Sequence, residues 1–366
     1  MIPTLIGYVV RHFLLALAVT LLVVAALILL FDVIELMRQT ARVPEATVGL
    51  LTRLALLRLP LVLQTALPFV FMAGAFITFW RLVRSSELVV IRAAGVSVWQ
   101  ILTPLFLLAL LLGAINVAVV NPIAAALFTQ FERAGRTIGL GSDNPFSLSR
   151  GGMWLREPSE DGGFTVVHAR NARQDARMLH LDDVMIMMVD ETSRSVRRVD
   201  APTGRLQGGR FILTDAVISV PGQPPDRRPF MTVSTGLSIP KIEEKFAAPE
   251  TISFWDLPGF IAFFESAGFA ANAHRMHWHA LVSSPVMLCA MILVAAVFGL
   301  GTHGRRGAWL ARLAGAVVVG FVVYFFSQVT YTLGQSQTLP VAMAAWSPAA
   351  IAGLLGLALV FHLEDG

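Results

Sequence analysis

Cysteine is almost missing from this chain: Cys289 stands alone among 366 residues. A single thiol excludes an intramolecular disulfide and a cysteine-built zinc site, and it says nothing either way about an oxidising compartment. Charge is also scarce, at 14% of residues against a hydrophobic share of 55% and a mean hydropathy of +0.69. That balance belongs to a membrane core rather than to a soluble one. The sequence carries no P-loop, no HExxH, no GxSxG and no dinucleotide fingerprint. With no nucleophile–base pair either, an integral membrane hydrolase is the weakest reading. The two halves of the chain do not align with each other, so an inverted-repeat transporter gains no support.

What the chain has is six long apolar runs: Phe13–Phe31, Leu59–Trp80 and Ala93–Phe131, then Ala280–Leu300, Leu313–Leu333 and Val341–Phe361. Each is close to or above the ~20 residues that a helix needs to cross a ~30 Å hydrocarbon core. None contains Asp, Glu, Lys or Arg. Proton and ion relays need such residues inside the bilayer, so an ion-coupled pump is disfavoured and energy must come from elsewhere. The first run exceeds a signal-peptide core and lacks an A-x-A-like cleavage site, so it reads as a retained helix.

The net charge of +4 and pI near 9.8 come from arginines scattered among loops, which argues against nucleic acid. Arg11, Arg81, Arg84, Arg92, Arg305, Arg306 and Arg312 lie where a cytoplasmic terminus and the second and fourth loops would be. The positive-inside rule then puts both termini in the cytoplasm and the central insert outside. Arg38, Arg42, Arg53 and Arg58 in the first loop run against this and need a cause.

Between the two helical triplets the composition changes. Phe164–Ala169, Leu179–Val189, Phe211–Val220 and Phe230–Ile239 are rich in apolar and β-branched residues. Asp161-Gly162-Gly163, Thr203-Gly204, Gly208-Gly209 and Pro221-Gly222-Gln223-Pro224-Pro225 punctuate them. This spacing predicts an inserted all-β sandwich or jelly roll. Phe254–Gly268 reads as a helix capped by Asp256, with Leu257, Ile261 and Phe264 on one face. The resulting fold class is membrane α-helical, with six transmembrane helices and an external jelly roll. Residues 1–135 hold helices one to three, 136–253 the β domain, and 254–366 a linker helix and helices four to six. Such a plan fits a machine that hands something from a bilayer to an aqueous compartment.

Two polar constellations remain, besides a histidine cluster. The stretch Arg81–Gln100 places Arg81, Arg84, Glu87 and Arg92 within an arc of about 140° at helical spacing, which predicts a short surface helix near 82–95. Gly95 would end it, and Ser97 with Gln100 forms a capping box for the next helix. The first-loop arginines form the second constellation. Against these functional readings stand a plain interfacial linker and headgroup-seeking side chains. His274, His277 and His279 lack a nearby acidic or cysteine ligand in sequence and read as interfacial histidines rather than a metal site.

The segment Ser86-Glu87-Leu88-Val89-Val90-Ile91-Arg92-Ala93-Ala94-Gly95 resembles the coupling-helix signature of the lipopolysaccharide export permeases, the LptF/LptG family. Leu67-Pro68-Phe69, Asn121-Pro122 after helix three, and Gly152-Met153-Trp154-Leu155 agree, and the resemblance covers essentially the whole chain. The Phe31–Arg38 end of helix one and the Gly-Met-Trp-Leu stretch are more similar to the LptG branch. The resemblance implies a permease of the bacterial inner membrane with a periplasmic jelly roll, no cofactor and no catalytic residue of its own. It implies as partners the paralogous permease LptF, a dimer of the ATPase LptB, LptC and the periplasmic bridge LptA, with lipopolysaccharide as the transported lipid. It implies ATPase coupling through Glu87, flanked by Arg84 and Arg92. Arg38 matches a basic cluster at the outer end of helix one; with Arg42, Arg53 and Arg58 it would bind lipid phosphates, although Asp32 departs from that cluster. Phe69, Phe71, Phe76, Phe79, Phe321, Phe325 and Phe326 are candidate acyl-chain lining. The alternatives are a permease of another lipid or lipoprotein exporter and a non-transporting scaffold for periplasmic proteins.

Overall fold

The computed structural model describes residues 2–41, 47–137, 153–158, 164–175, 178–189, 196–235, 248–266, 271–300 and 308–365. Helix α1 spans Ile2–Gln39, α2 Val48–Arg84, α3 Glu87–Ala93 and α4 Val98–Ile115. A π-helical turn, Asn116–Val120, continues directly into α5, Asn121–Thr137. After the strands come α6 (Leu257–Ser266), α7 (Asn272–Gly299), α8 (Ala308–Gln335) and α9 (Val341–Asp365). Among the described residues six helical stretches are long and apolar enough to cross a membrane, and each contains or overlaps one of the six apolar runs. Chain contacts divide into two units, one of Met1–Phe131, Pro249–Pro258 and Ala271–Gly366, the other of Glu132–Ala248 and Gly259–Ala270.

The first unit is a helical bundle whose centre is fully buried at Phe13, Phe79, Leu102, Leu105 and Ile292. Lipid tails are as apolar as leucine, so helix association here depends on close packing rather than on exclusion of water. Glycine supplies the contact. A Cβ on Gly74 of α2 would lie 3.2 Å from the Leu17 Cα of α1. One on Gly113 of α4 would lie 2.8 Å from the Pro285 Cα of α7.

Asn121-Pro122, placed after helix three by the sequence reading, instead lies inside a continuous helical rod. Pro122 has no N–H, so the Ala118 carbonyl four residues earlier loses its partner. The helix answers with a π turn, in which the Asn121 N–H donates to the Asn116 carbonyl. The Ala118 carbonyl accepts from the Trp255 indole at 3.0 Å. Asn121, almost wholly buried, accepts from the Phe254 N–H at 3.0 Å.

The second unit carries one antiparallel sheet in the order β1-β2-β3-β4-β5-β6. Its strands are β1 Met153–Pro158, β2 Phe164–Asp175, β3 Met178–Val189, β4 Val196–Gln207, β5 Arg210–Ser219 and β6 Asp226–Ser234. Strand β4 was not anticipated, because Thr203-Gly204 reads as a turn. Gly204 is there for contact: a Cβ would come within 2.9 Å of Leu213 and 3.1 Å of Val184. The turn that does occur is Gly208-Gly209, both at positive φ (57° and 71°), which suits a two-residue hairpin of the twisted type.

Inward residues change phase along one line across this sheet. Leu181 and Val184 are both buried, as are Leu213 and Ala216, each pair three residues apart rather than two. Between them sit Asp183 (φ 50°) and Asp215 (φ 54°), and Pro202 and Pro229 occupy the same row in β4 and β6. Strands β2 to β6 each break their ladder there, and both sides of the break still bury into one core. Among the described residues this one sheet carries the whole of that core.

Candidate functional site

The surface helix is shorter than its periodicity predicts. Arg81 and Arg84 belong to the end of α2, and Ser86 in the left-handed region (φ 60°) breaks the chain before α3 begins at Glu87. The four charged residues therefore do not share one helix face. Gly95 (φ 79°) follows α3, and Ser97 with Gln100 forms the complete capping box that opens α4. Two abrupt breaks with about two helical turns between them hold α3 as a discrete ridge.

Leu88, 1% exposed, roots that ridge in the bundle core with Leu82 and Val98. The opposite side is apolar and open, with Val89 at 61% and Val90 at 68% exposure. Glu87 is half-buried and acts electrostatically on the Tyr8 hydroxyl of α1, as does Arg81. The sequence reading did not single out Tyr8, though it is one of only three tyrosines in the chain. Arg84 is exposed and lies over the Trp80 ring at 5.0 Å. Arg92 is exposed in the last turn of α3. Arg312 is described in α8, whereas Arg305 and Arg306 lie outside the described residues.

The four first-loop arginines are not equivalent. Arg38 is clamped by Glu35 one turn earlier, through two bonds of 2.7 and 2.8 Å. Arg58 reaches from α2 to Asp32 of α1 at 2.9 Å, and its guanidinium stands 5.8 Å from the Phe131 ring centre. Arg53 is exposed, and among the described residues it has no ion-pair partner. Arg42 lies outside the described residues. Asp32 and Glu35 thus neutralise two of the charges within the chain.

Of the candidate acyl-lining phenylalanines, Phe71, Phe76 and Phe79 are buried in the bundle core. Phe69 packs against Phe321 and Tyr324 at 5.5 and 5.6 Å, while Phe321 and Phe325 turn outward. His274 is buried in the first turns of α7, and the His277 Nε2 is buried as well. Among the described residues no group of three or more His, Cys, Asp or Glu is placed to hold a metal ion.

Six apolar spans, an all-β insert between the third and the fourth, and a short anchored ridge in the second loop define a multi-pass membrane permease. The chain matches the family described as "Lipopolysaccharide export system permease LptF/LptG" over residues 7–361, and it belongs to that family. It is also 24% identical over 318 residues to the lipopolysaccharide export system permease protein LptG of Haemophilus influenzae, covering 84% of this chain and 83% of that protein.

Proposed function

We propose that this chain is the LptG-type half of a transporter that draws lipopolysaccharide out of the bacterial inner membrane and delivers it to a periplasmic bridge. Its partners are the paralogous permease LptF, an LptB dimer that hydrolyses ATP, LptC and the bridge protein LptA. The β insert lies in the periplasm, and both termini with the second and fourth loops lie in the cytoplasm. The observation that carries this reading is the α3 ridge. A chain with no nucleotide motif and no charge in its apolar cores must receive work through contact with another protein.

The ridge is built for that contact. Val89 and Val90 offer an apolar surface to a groove, with Glu87 and Arg92 at its ends and Arg84 one turn away on α2. Leu88 ties the same ridge to the helices, and Glu87 ties it to α1 through Tyr8. A push on the ridge therefore moves α1, α2 and α4 together rather than bending a loose loop. The test is Glu87→Lys in the assembled complex. ATPase capture and ATP-driven lipid release should both fall; wild-type levels of both would overturn the docking role.

Arg38, Arg53 and Arg58, with Arg42, serve lipid phosphates in this proposal, because a guanidinium fork matches phosphate oxygens. Arg53 is the charge most ready to act, since Arg38 and Arg58 are already held by carboxylates. A permease for a different lipid would share the ridge. Mass analysis of the lipid that copurifies with the complex separates the two.

A further inference from the structure

We propose that Trp255 is a positioning residue for lipid delivery: with Pro122 it forms a joint at which the chain returning from the β insert is clamped to the π turn of helix three. The inference rests on the transport reading and adds to it the place where work that enters at the α3 ridge leaves the helices.

Helix three is the rod that starts at the ridge. Leu88 of α3 is buried together with Val98, the first residue of α4. From Val98 the rod continues through α4, the π turn and α5 to Thr137. At ~1.5 Å per residue, Ala118 lies about 30 Å along it from Val98, the thickness of a hydrocarbon core. There the returning chain is fastened. The Trp255 indole donates to the Ala118 carbonyl and the Phe254 N–H to the Asn121 Oδ1, each at 3.0 Å. Leu257 is buried with Val117 of the π turn and Leu281 of α7. The Phe254 ring lies parallel to that of Trp278 in α7, with centres 6.2 Å apart.

A regular helix would offer the indole much less. In an α-helix the Ala118 carbonyl accepts from the N–H of residue 122; Pro122 removes that donor and leaves the carbonyl to a partner from outside the rod. A proline inside a membrane helix weakens the rod, so a plain spanning role does not explain it. A fixed link does. The chain leaves the bundle for the insert along α5 and comes back through Pro249–Leu257, and the joint ties the second passage to the helix that carries the first. A shift of the rod then moves both connections to the insert together, where an untied return segment would follow late or not at all.

The test uses the assembled transporter in proteoliposomes, with lipid delivered to the periplasmic bridge counted per ATP hydrolysed. Trp255→Phe removes the indole donor from a residue that is 64% exposed, and Pro122→Ala gives the Ala118 carbonyl a helical N–H again. Each should lower the lipid delivered per ATP about three- to ten-fold, the range for one lost hydrogen bond, while ATP hydrolysis stays near wild type. Thermal stability should be unchanged in Trp255→Phe and equal or higher in Pro122→Ala. The double variant should lose no more than the worse single, because both changes act on one bond. A wild-type ratio of lipid to ATP in Trp255→Phe overturns the joint, whether delivery is intact or falls in step with hydrolysis and folded yield. That variant decides the matter if Pro122→Ala does not fold. A wild-type complex that delivers no lipid on ATP overturns the transport reading itself, and this inference with it.

Discussion

Asp32 and Arg58 show how much one pairing decides. Asp32 is only 12% exposed at its side chain, its Oδ1 accepts from Arg58, and its Oδ2 is buried with no partner among the described residues. Arg58→Gln strips the counter-charge and should destabilise the chain by about 1–3 kcal/mol. The double variant Arg58→Gln with Asp32→Asn should recover most of that in a thermal unfolding series. Arg53→Gln should leave stability unchanged, because an exposed arginine with no ion-pair partner contributes little. If the double variant is as unstable as the single, the ion pair is not what holds α1 to α2 at this end. Tyr8 makes a second case. Tyr8→Phe removes one hydroxyl and no packing volume, so the ATPase should still bind. ATP-driven lipid release should fall about three- to ten-fold, as expected for the loss of one polar contact worth about 0.6–1.4 kcal/mol. Equal release in Tyr8→Phe and wild type would free α3 from its supposed tie to α1.

Helices and strands carry their own tests. Gly113→Val places two methyl groups against the Pro285 backbone, where even a Cβ would sit at 2.8 Å. Overpacking of that kind costs about 1–3 kcal/mol and should lower the yield of folded chain. At the bend of the sheet, Asp183→Gly should be tolerated and Asp183→Val should not, because φ near 50° suits glycine and resists a β-branched residue. Soluble yield of the β insert in the full chain, read by limited proteolysis, distinguishes the two. The six spans were legible because length and the absence of charge alone specify them. Strand β4 was not, since VRRVDAPTGRLQ mixes charge, proline and glycine and hides its buried Val199, Ala201 and Leu206. The surface helix was legible in existence but not in extent: periodicity runs through Ser86 as though it were helical, and only the backbone shows the left-handed break. The arginines were legible as a group, yet Arg58 and Asp32 are 26 residues apart, and no local pattern reports such a pair.

At the scale of the whole molecule, the proposed function is one of work delivered at the ridge and spent among the helices. Chain order puts three spans before the insert and three after, so the ridge and the insert lie on opposite faces of the membrane under the proposed orientation. The most direct test places cysteine at Val90 and, separately, at Phe230 of the insert, which is 71% exposed. The native Cys289, only partly exposed and within α7, is replaced by serine. In the assembled transporter, a short thiol crosslinker at position 90 should capture the ATPase and stop lipid release, while position 230 should capture no ATPase and should react with a membrane-impermeant thiol reagent from the periplasmic side. Labelling of position 90 from the periplasm, or release that continues with the ridge crosslinked to the ATPase, would contradict the account.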